Sequence, residues 1–246
     1  MPSTIGEPPG MRASDWEFRN RASIFGMVFG VAFLFYVIDK QNSAAALANR
    51  LAAATQGDAE HIARGLFAAA AAVMAAAALL RTWASSYLQA TVVYAGDVKS
   101  EWLVADGPYR RVRNPLYLAN VLLVAGMGAM MSRLGLVVGI AAMLVFCYRL
   151  MLREEADLTA AQGERYRRYL QAVPRLWPSL APRIGSAGQT PRWAAGFKAE
   201  LWCWGYAVAV LTFAATLDPI PFYGVLGVSF LVFWLSSSSA QRTPQP

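Results

Sequence analysis

The 246-residue sequence predicts an all-α protein, a polytopic membrane helical bundle of about six transmembrane helices beneath a polar cytoplasmic cap. Three observations lead to that class. Apolar residues make up 57% of the chain and charged residues only 15%, with a mean hydropathy of +0.36, a balance that soluble domains of this length rarely show. The apolar residues are gathered into blocks approaching the roughly 20 residues that a helix needs to cross a ~30 Å hydrocarbon layer. The basic residues, finally, fall unevenly between the segments that join those blocks.

Taken in order, the blocks run from Ile24 to Ile38, Ile62 to Leu80, Leu116 to Met131, Leu134 to Leu152, Leu201 to Leu217 and Ile220 to Leu235. The third and fourth are divided only by Ser132 and Arg133, the fifth and sixth by Asp218 and Pro219, so each pair reads as a tight hairpin. The segment before Ile24 is polar, holds proline and acidic residues, and no small-residue cleavage motif follows the first block, which argues against a cleaved signal peptide. Ala-rich runs such as Ala68 to Ala78 favour helix and permit close helix contact. The chain divides into residues 1–86, a polar segment and two transmembrane helices; 87–182, which hold most of the polar detail; and 183–246, a linker followed by a terminal transmembrane hairpin.

With the N-terminus inside, 18 of the 22 Lys and Arg residues lie on the inner side and only Lys40, Arg50, Arg64 and Arg133 on the outer. Basic segments are retained in the cytoplasm, so both termini are expected there. The Ala- and Arg-rich composition hints at a GC-rich bacterial genome and hence an inner-membrane location. A net charge of +7 is accounted for by this juxtamembrane basicity and needs no nucleic acid partner. Cys147 and Cys203 lie inside apolar blocks and read as core residues. With one histidine, His61, in an outer loop, no metal site is expected.

The chemistry is concentrated in two stretches. Leu103-Val104-Ala105-Asp106-Gly107-Pro108-Tyr109-Arg110-Arg111-Val112-Arg113-Asn114-Pro115-Leu116-Tyr117 runs directly into the third block. Gly107 and Pro108 make a turn, Pro115 suits a first helical position, and Asn114 can cap that helix with its side chain or present the exposed amides. A helix N-terminus beside three arginines favours an anion, either a ligand carboxylate or phosphate or an anionic lipid head group. After the hairpin comes Arg153-Glu154-Glu155-Ala156-Asp157-Leu158, then Gly163-Glu164-Arg165-Tyr166-Arg167-Arg168-Tyr169 and Val173-Pro174-Arg175. A hairpin returns its ends to one membrane face, so arginine turn and glutamate pair should meet. Carboxylates at that depth are costly unless paired or used. One is expected to neutralise Arg113 or Arg153, the other to accept ligand hydrogen bonds. Tyr166 and Tyr169 would supply an aromatic wall or an interfacial anchor.

Residues from about Leu103 to Leu180 resemble the isoprenylcysteine carboxyl methyltransferase and phospholipid methyltransferase family. The resemblance lies in Gly107-Pro108-Tyr109, Arg113-Asn114-Pro115-Leu116-Tyr117, Glu154-Glu155 with Leu158, and Gly163, Tyr166, Tyr169, Val173-Pro174. It implies an integral membrane enzyme that binds S-adenosylmethionine in a pocket roofed by the cytoplasmic segments and admits a lipophilic or lipid-modified substrate from the bilayer. On that resemblance Arg113 and Glu155 are the catalytic candidates, Arg113 holding the cofactor or a substrate carboxylate and Glu155 orienting the cofactor or acceptor. Leu103, Val104, Gly107, Pro108, Tyr109, Asn114, Pro115, Tyr117, Glu154 and Tyr166 are the cofactor-binding candidates. The family usually carries histidine where this chain has Asn114, which can donate a hydrogen bond but cannot take a proton near neutral pH. Two other readings stay open. Sterol and steroid reductases resemble the same pattern and use a nicotinamide dinucleotide, although Leu116 follows the proline here; a non-catalytic protein could also keep the fold.

Overall fold

The computed structural model describes residues 10–94 and 105–240, with side chains described at 10–88 and 105–235. Among them every regular element is helical, and the only β pairing is an isolated bridge between Asn42 and Ser132. The helices are α1 (Asp15–Arg19), α2 (Arg21–Leu34), α3 (Ser43–Thr55), α4 (Ala59–Tyr94), α5 (Pro115–Met127), α6 (Arg133–Gln162), α7 (Glu164–Ala172), α8 (Trp193–Ala199), α9 (Leu201–Thr216) and α10 (Pro219–Ala240). Each of the six apolar blocks carries one helix: α2, α4, α5, α6, α9 and α10.

Two of these, α4 and α6, are long and apolar enough to cross a membrane by themselves, and α8 with α9 passes the same test as one span bent by 62°. The apolar stretches of α2, α5 and α10 are shorter. At 1.5 Å per residue, α6 carries Glu154 about 32 Å from Arg133, the thickness of a hydrocarbon layer. Among the elements not foreseen is α3. α3 lies within the predicted outer loop, started by Asn42, whose Oδ1 accepts from the Ala45 N–H at 2.9 Å, and stopped by Gln56 in the left-handed region. Its mixture of alanine with isolated polar residues lacks the length of a span.

The six apolar helices pack in series, α2 on α6, α6 on α5, α5 on α4, α4 on α9 and α9 on α10. Small residues set several of these joints. A Cβ on Gly135 would run into the Ala32 carbonyl, one on Gly126 into Met74 and the Ala70 carbonyl, and one on Gly205 into Ser229, so α2–α6, α4–α5 and α9–α10 all approach closely. The resulting arc is locked at the end opposite the arginine turn. There Asp39 accepts from Arg133 at 2.9 and 3.2 Å and from the Leu134 N–H at 3.1 Å, while Tyr36 donates to the Met130 carbonyl at 2.8 Å. The guanidinium beside Asp39 holds its carboxyl at about 2, below the usual carboxylate range. Cys147 and Cys203 are buried free thiols.

Candidate active site

The concave side of the arc borders a half-open cavity of about 1830 Å³, lined by α2, α4, α5, α6, α7, α9 and α10. Single drug-sized ligand pockets typically run to about 1,000 Å³, so this one has room for two ligands. Its far part is apolar, with Phe29, Met74, Met127, Phe213, Phe222 and Leu226. Its near part is polar and is assembled by the arginine turn.

That turn is a 3-10 segment, Gly107–Arg110, begun by Gly107 at φ +58, a conformation that favours glycine; a Cβ there would also strike the Tyr87 ring. Asp106, buried, accepts from Ser186 Oγ at 2.5 Å and from the N–H groups of Ala187 and Gln189. Arg110 Nε donates to the Ile184 carbonyl at 2.9 Å and Arg111 Nε to the Leu180 carbonyl at 3.4 Å, while the Arg111 carbonyl accepts from the Ser179 N–H at 3.0 Å. The turn and the tail after α7 therefore hold each other. These bonds account for two of the three arginines by tail anchoring, leaving Arg113 for the cavity.

Arg113 and Glu155 do meet, at 3.5 Å. Glu155 is buried and saturated: Arg175 donates to it bidentately at 2.7 and 3.1 Å, and Asn114 Nδ2 donates at 3.2 Å. Such a paired, hydrogen-bonded carboxylate offsets its desolvation. Arg153 takes other partners, Asp15 at 2.6 Å and Asp157 at 3.4 Å. Arg113 keeps its Nε without a hydrogen-bond partner although the side chain is only 10% exposed. Burial lowers its pKa from the ordinary value, opposed by Glu155; guanidinium nevertheless stays charged and an anion would satisfy it.

Glu154 points the other way, lining the cavity and accepting from Tyr117 Oη at 2.7 Å. Tyr109, Arg113, Asn114 and Pro115 line the same space, as do Tyr117 and Tyr166. Burial raises the phenols of Tyr109, Tyr166 and Tyr169 above their usual range, so they remain neutral donors. Tyr169 Oη donates to the Tyr109 carbonyl at 2.9 Å, fixing the α7 wall. Gly107, Pro108 and Glu155 support the wall from behind and are not among its lining residues. Leu103 and Val104 lie outside the described residues. Asn114 occupies the cap position of α5, yet its side chain makes no capping bond: Nδ2 donates to Glu155 and to the Arg175 carbonyl, both at 3.2 Å, in place of the side-chain cap that the sequence suggests.

Sequence reading passed over Arg175, Asn120, Arg81 and Glu200. Arg81 Nε donates to Glu200 at 2.6 Å and its Nη1 to Asn120 Oδ1 at 2.6 Å, while Ser85 Oγ donates to Glu200 at 2.6 Å. Asn120, Arg81 and Glu200 were signalled as lone polar residues inside or at the borders of apolar blocks, whereas Arg175 carried no such signal.

A polar mouth on an apolar cavity, formed where α4, α5 and α6 meet, coincides with a recognisable stretch of sequence. Residues 66–164 match the phospholipid methyltransferase family. The matched segment thus takes in most of α4, the arginine turn, α5, α6 and the glutamate pair, beginning before Leu103 and ending before Tyr166. The chain is also 28% identical over 125 residues to the cobalt-zinc-cadmium resistance protein CzcN of Cupriavidus metallidurans, 49% of this chain and 57% of that protein. It is 30% identical over 89 residues to the nickel-cobalt-cadmium resistance protein NccN of Alcaligenes xylosoxydans xylosoxydans, 36% of this chain and 42% of that one. The chain thus spans about half the length of the curated relatives it matches. No solved structure matches it. Among the described residues no group of three His, Cys, Asp or Glu side chains is gathered for a metal ion.

Proposed function

We propose that this protein is an S-adenosylmethionine-dependent methyltransferase acting on a lipophilic acceptor within a membrane. One observation carries the reading: residues of the segment similar to the phospholipid methyltransferase family converge on the polar mouth of a cavity whose remainder is mostly apolar and large enough for a second ligand. The residues present suit the cofactor. Arg113, nine-tenths buried with Nε unpartnered, suits a carboxylate; Glu154, turned into the same space beside Tyr117, suits an amino group or ribose hydroxyls. Tyr109 and Tyr166 flank them, and Asn114 and Pro115 close the wall.

When bound, the cofactor supplies an electrophilic sulfonium methyl. The protein contributes position and dryness. Glu155 and Arg175 fix Arg113, the tail bound to the arginine turn roofs the mouth, and the apolar part keeps the acceptor's tail out of water. In this reading Glu155 acts by positioning, and Glu154 has the direct contact. The six apolar helices are six crossings, three of them shortened or bent, with both termini and the mouth on the cytoplasmic side of a bacterial inner membrane. The bilayer delivers the acceptor.

Equilibrium binding to detergent-solubilised protein tests the reading. S-adenosylmethionine is expected to bind and to be displaced by its demethylated product; NADPH binding in its place would support a reductase, and binding of neither would remove the catalytic reading.

A further inference from the structure

The chain after α7 carries apolar surface that neither the core nor a spanning helix accounts for. Trp177 is 81% exposed and Leu180 fully exposed, both on non-helical chain. Their neighbour Leu176 packs against the core, so the segment lies on the bundle with Trp177 turned outward. Nor is this a frayed end. The Arg113 N–H donates to the Pro174 carbonyl at 2.9 Å, the Ser179 N–H to the Arg111 carbonyl at 3.0 Å and the Arg183 N–H to the Arg110 carbonyl at 2.8 Å. A fixed frame therefore presents both side chains at the surface, where bare apolar area of this size marks a contact site.

Arg175 sets the depth of the segment. Its Nη1 donates to Tyr148 Oη at 3.1 Å, and its guanidinium carbon lies 5.4 Å from the centre of that ring. Tyr148 and Val145 face outward from α6. Tyr148 precedes Glu154 by six residues, about 9 Å of helix toward the opposite rim. The segment thus hangs beside the outer face of α6, below the mouth, where a hydrocarbon layer crossed by α6 gives way to head groups. Tryptophan and tyrosine concentrate at that depth.

The charge around it has one sign. Between Glu164 and Glu200 the chain holds seven basic residues and no acidic one. Arg111 lies beside Leu180, donating from Nε to its carbonyl, and exposed Arg183 follows three residues on. The carboxylates bonded to this stretch, Asp106 and Glu155, are buried. Exposed apolar side chains set among arginines fit a partner that is anionic at its surface and apolar just beneath.

We infer that residues 176–183 form a docking surface for the head-group layer of an anionic bilayer, with Trp177 and Leu180 entering it and Arg111 and Arg183 meeting lipid phosphates. The same stretch of chain carries Arg175, the partner of Glu155, so the roof of the mouth and the membrane surface are joined by adjacent residues. The surface lies outside the cavity and does not depend on the reaction performed there.

The test uses the full chain with one added cysteine, Leu180→Cys or the reference Ala160→Cys, carrying an environment-sensitive fluorophore; Cys147 and Cys203 are buried, so the added thiol labels selectively. Ala160 is exposed and lies beyond Glu155 on the side of α6 away from the bilayer. Each protein is reconstituted in nanodiscs of phosphatidylcholine, with or without phosphatidylglycerol, containing lipid spin-labelled at the head group. Quenching is expected at position 180 and not at 160, stronger with phosphatidylglycerol and reversed by salt. Arg183→Gln, which leaves the backbone bond to Arg110 in place, should weaken partitioning into the anionic discs roughly fivefold, the worth of one basic residue near such a surface. Trp177→Ser should lower quenching at 180 in both bilayers. If an acidic protein is the true partner, position 180 stays as open to water as position 160. That result, equal quenching with and without phosphatidylglycerol, or unaltered quenching in Trp177→Ser overturns the inference.

Discussion

Neighbouring residues on a helix point about 100° apart, so Glu154 and Glu155 cannot serve the same partner. The pair was legible in the sequence; its division of labour was not, because it depends on how α6 packs against α2 and α5 and on Glu155's partner Arg175, which lies 20 residues beyond it and carries no mark of its role. Glu154→Gln is expected to weaken S-adenosylmethionine binding at least tenfold with an unaltered unfolding midpoint. Glu155→Gln leaves Arg175 and Arg113 short of a buried counter-charge and should cost up to about 3 kcal/mol of stability. Equal cofactor affinity in wild type and Glu154→Gln would remove Glu154 from the site. Asn114 provides the companion test. Since it works as a donor to Glu155 and the Arg175 carbonyl, Asn114→His should be tolerated, and Asn114→Ala should lose about 1 kcal/mol with a slackened mouth. A sharp rise in methyl transfer in Asn114→His would mean that a titrating group is needed there.

Apolar length placed a helix in each of the six blocks, although only α4, α6 and the bent α8–α9 pair are long and apolar enough to cross a membrane, and the Asp218-Pro219 hinge and Ser132-Arg133 boundary fall at helix junctions as expected. The same signal could not show α3, or that α4 continues to Tyr94, because neither depends on a continuous apolar run. Nor could it show α8, whose seat is decided by backbone proximity: at Gly196 a Cβ would lie 2.7 Å from the Thr82 carbonyl oxygen and 2.8 Å from the Ser86 nitrogen of α4. Gly196→Val should push α8 off α4 and destabilise the fold by about 1–3 kcal/mol, read as a lower melting midpoint and faster proteolysis of the linker before Trp193. Gly185→Val, in open space, is the control and should change neither. An unaffected Gly196→Val protein would mean that α8 is not seated as described.

Across the molecule both rims are held by carboxylate–guanidinium pairs, the mouth by Glu155 and Glu200, the opposite rim by Asp39. Asp39 is held at about 2 against an ordinary 3.8, and a carboxylate depressed on folding stabilises above its unfolded value and loses that contribution as pH falls through the folded one. The stability gap between wild type and Asp39→Asn should thus be full above pH ~4 and close as the pH falls toward 2, measured by thermal melts in detergent; a gap independent of pH would deny the pairing. The charge asymmetry adds an orientation test. In a variant lacking Cys147 and Cys203, a cysteine at exposed position 160 should resist an impermeant thiol reagent in intact cells and react after lysis. The serial packing has one more consequence. Within the arc, α4, α5 and α6 coincide with the segment similar to the phospholipid methyltransferase family, whereas α2 and α10 stand at its two open ends, each seated chiefly on a single neighbour. A terminal helix with one seat can be exchanged without disturbing the others, so the apolar wall is replaceable stock and the polar mouth is fixed plant: grafting a different outer pair onto the same four inner helices, α4, α5, α6 and α9, should retune which chain length is accepted.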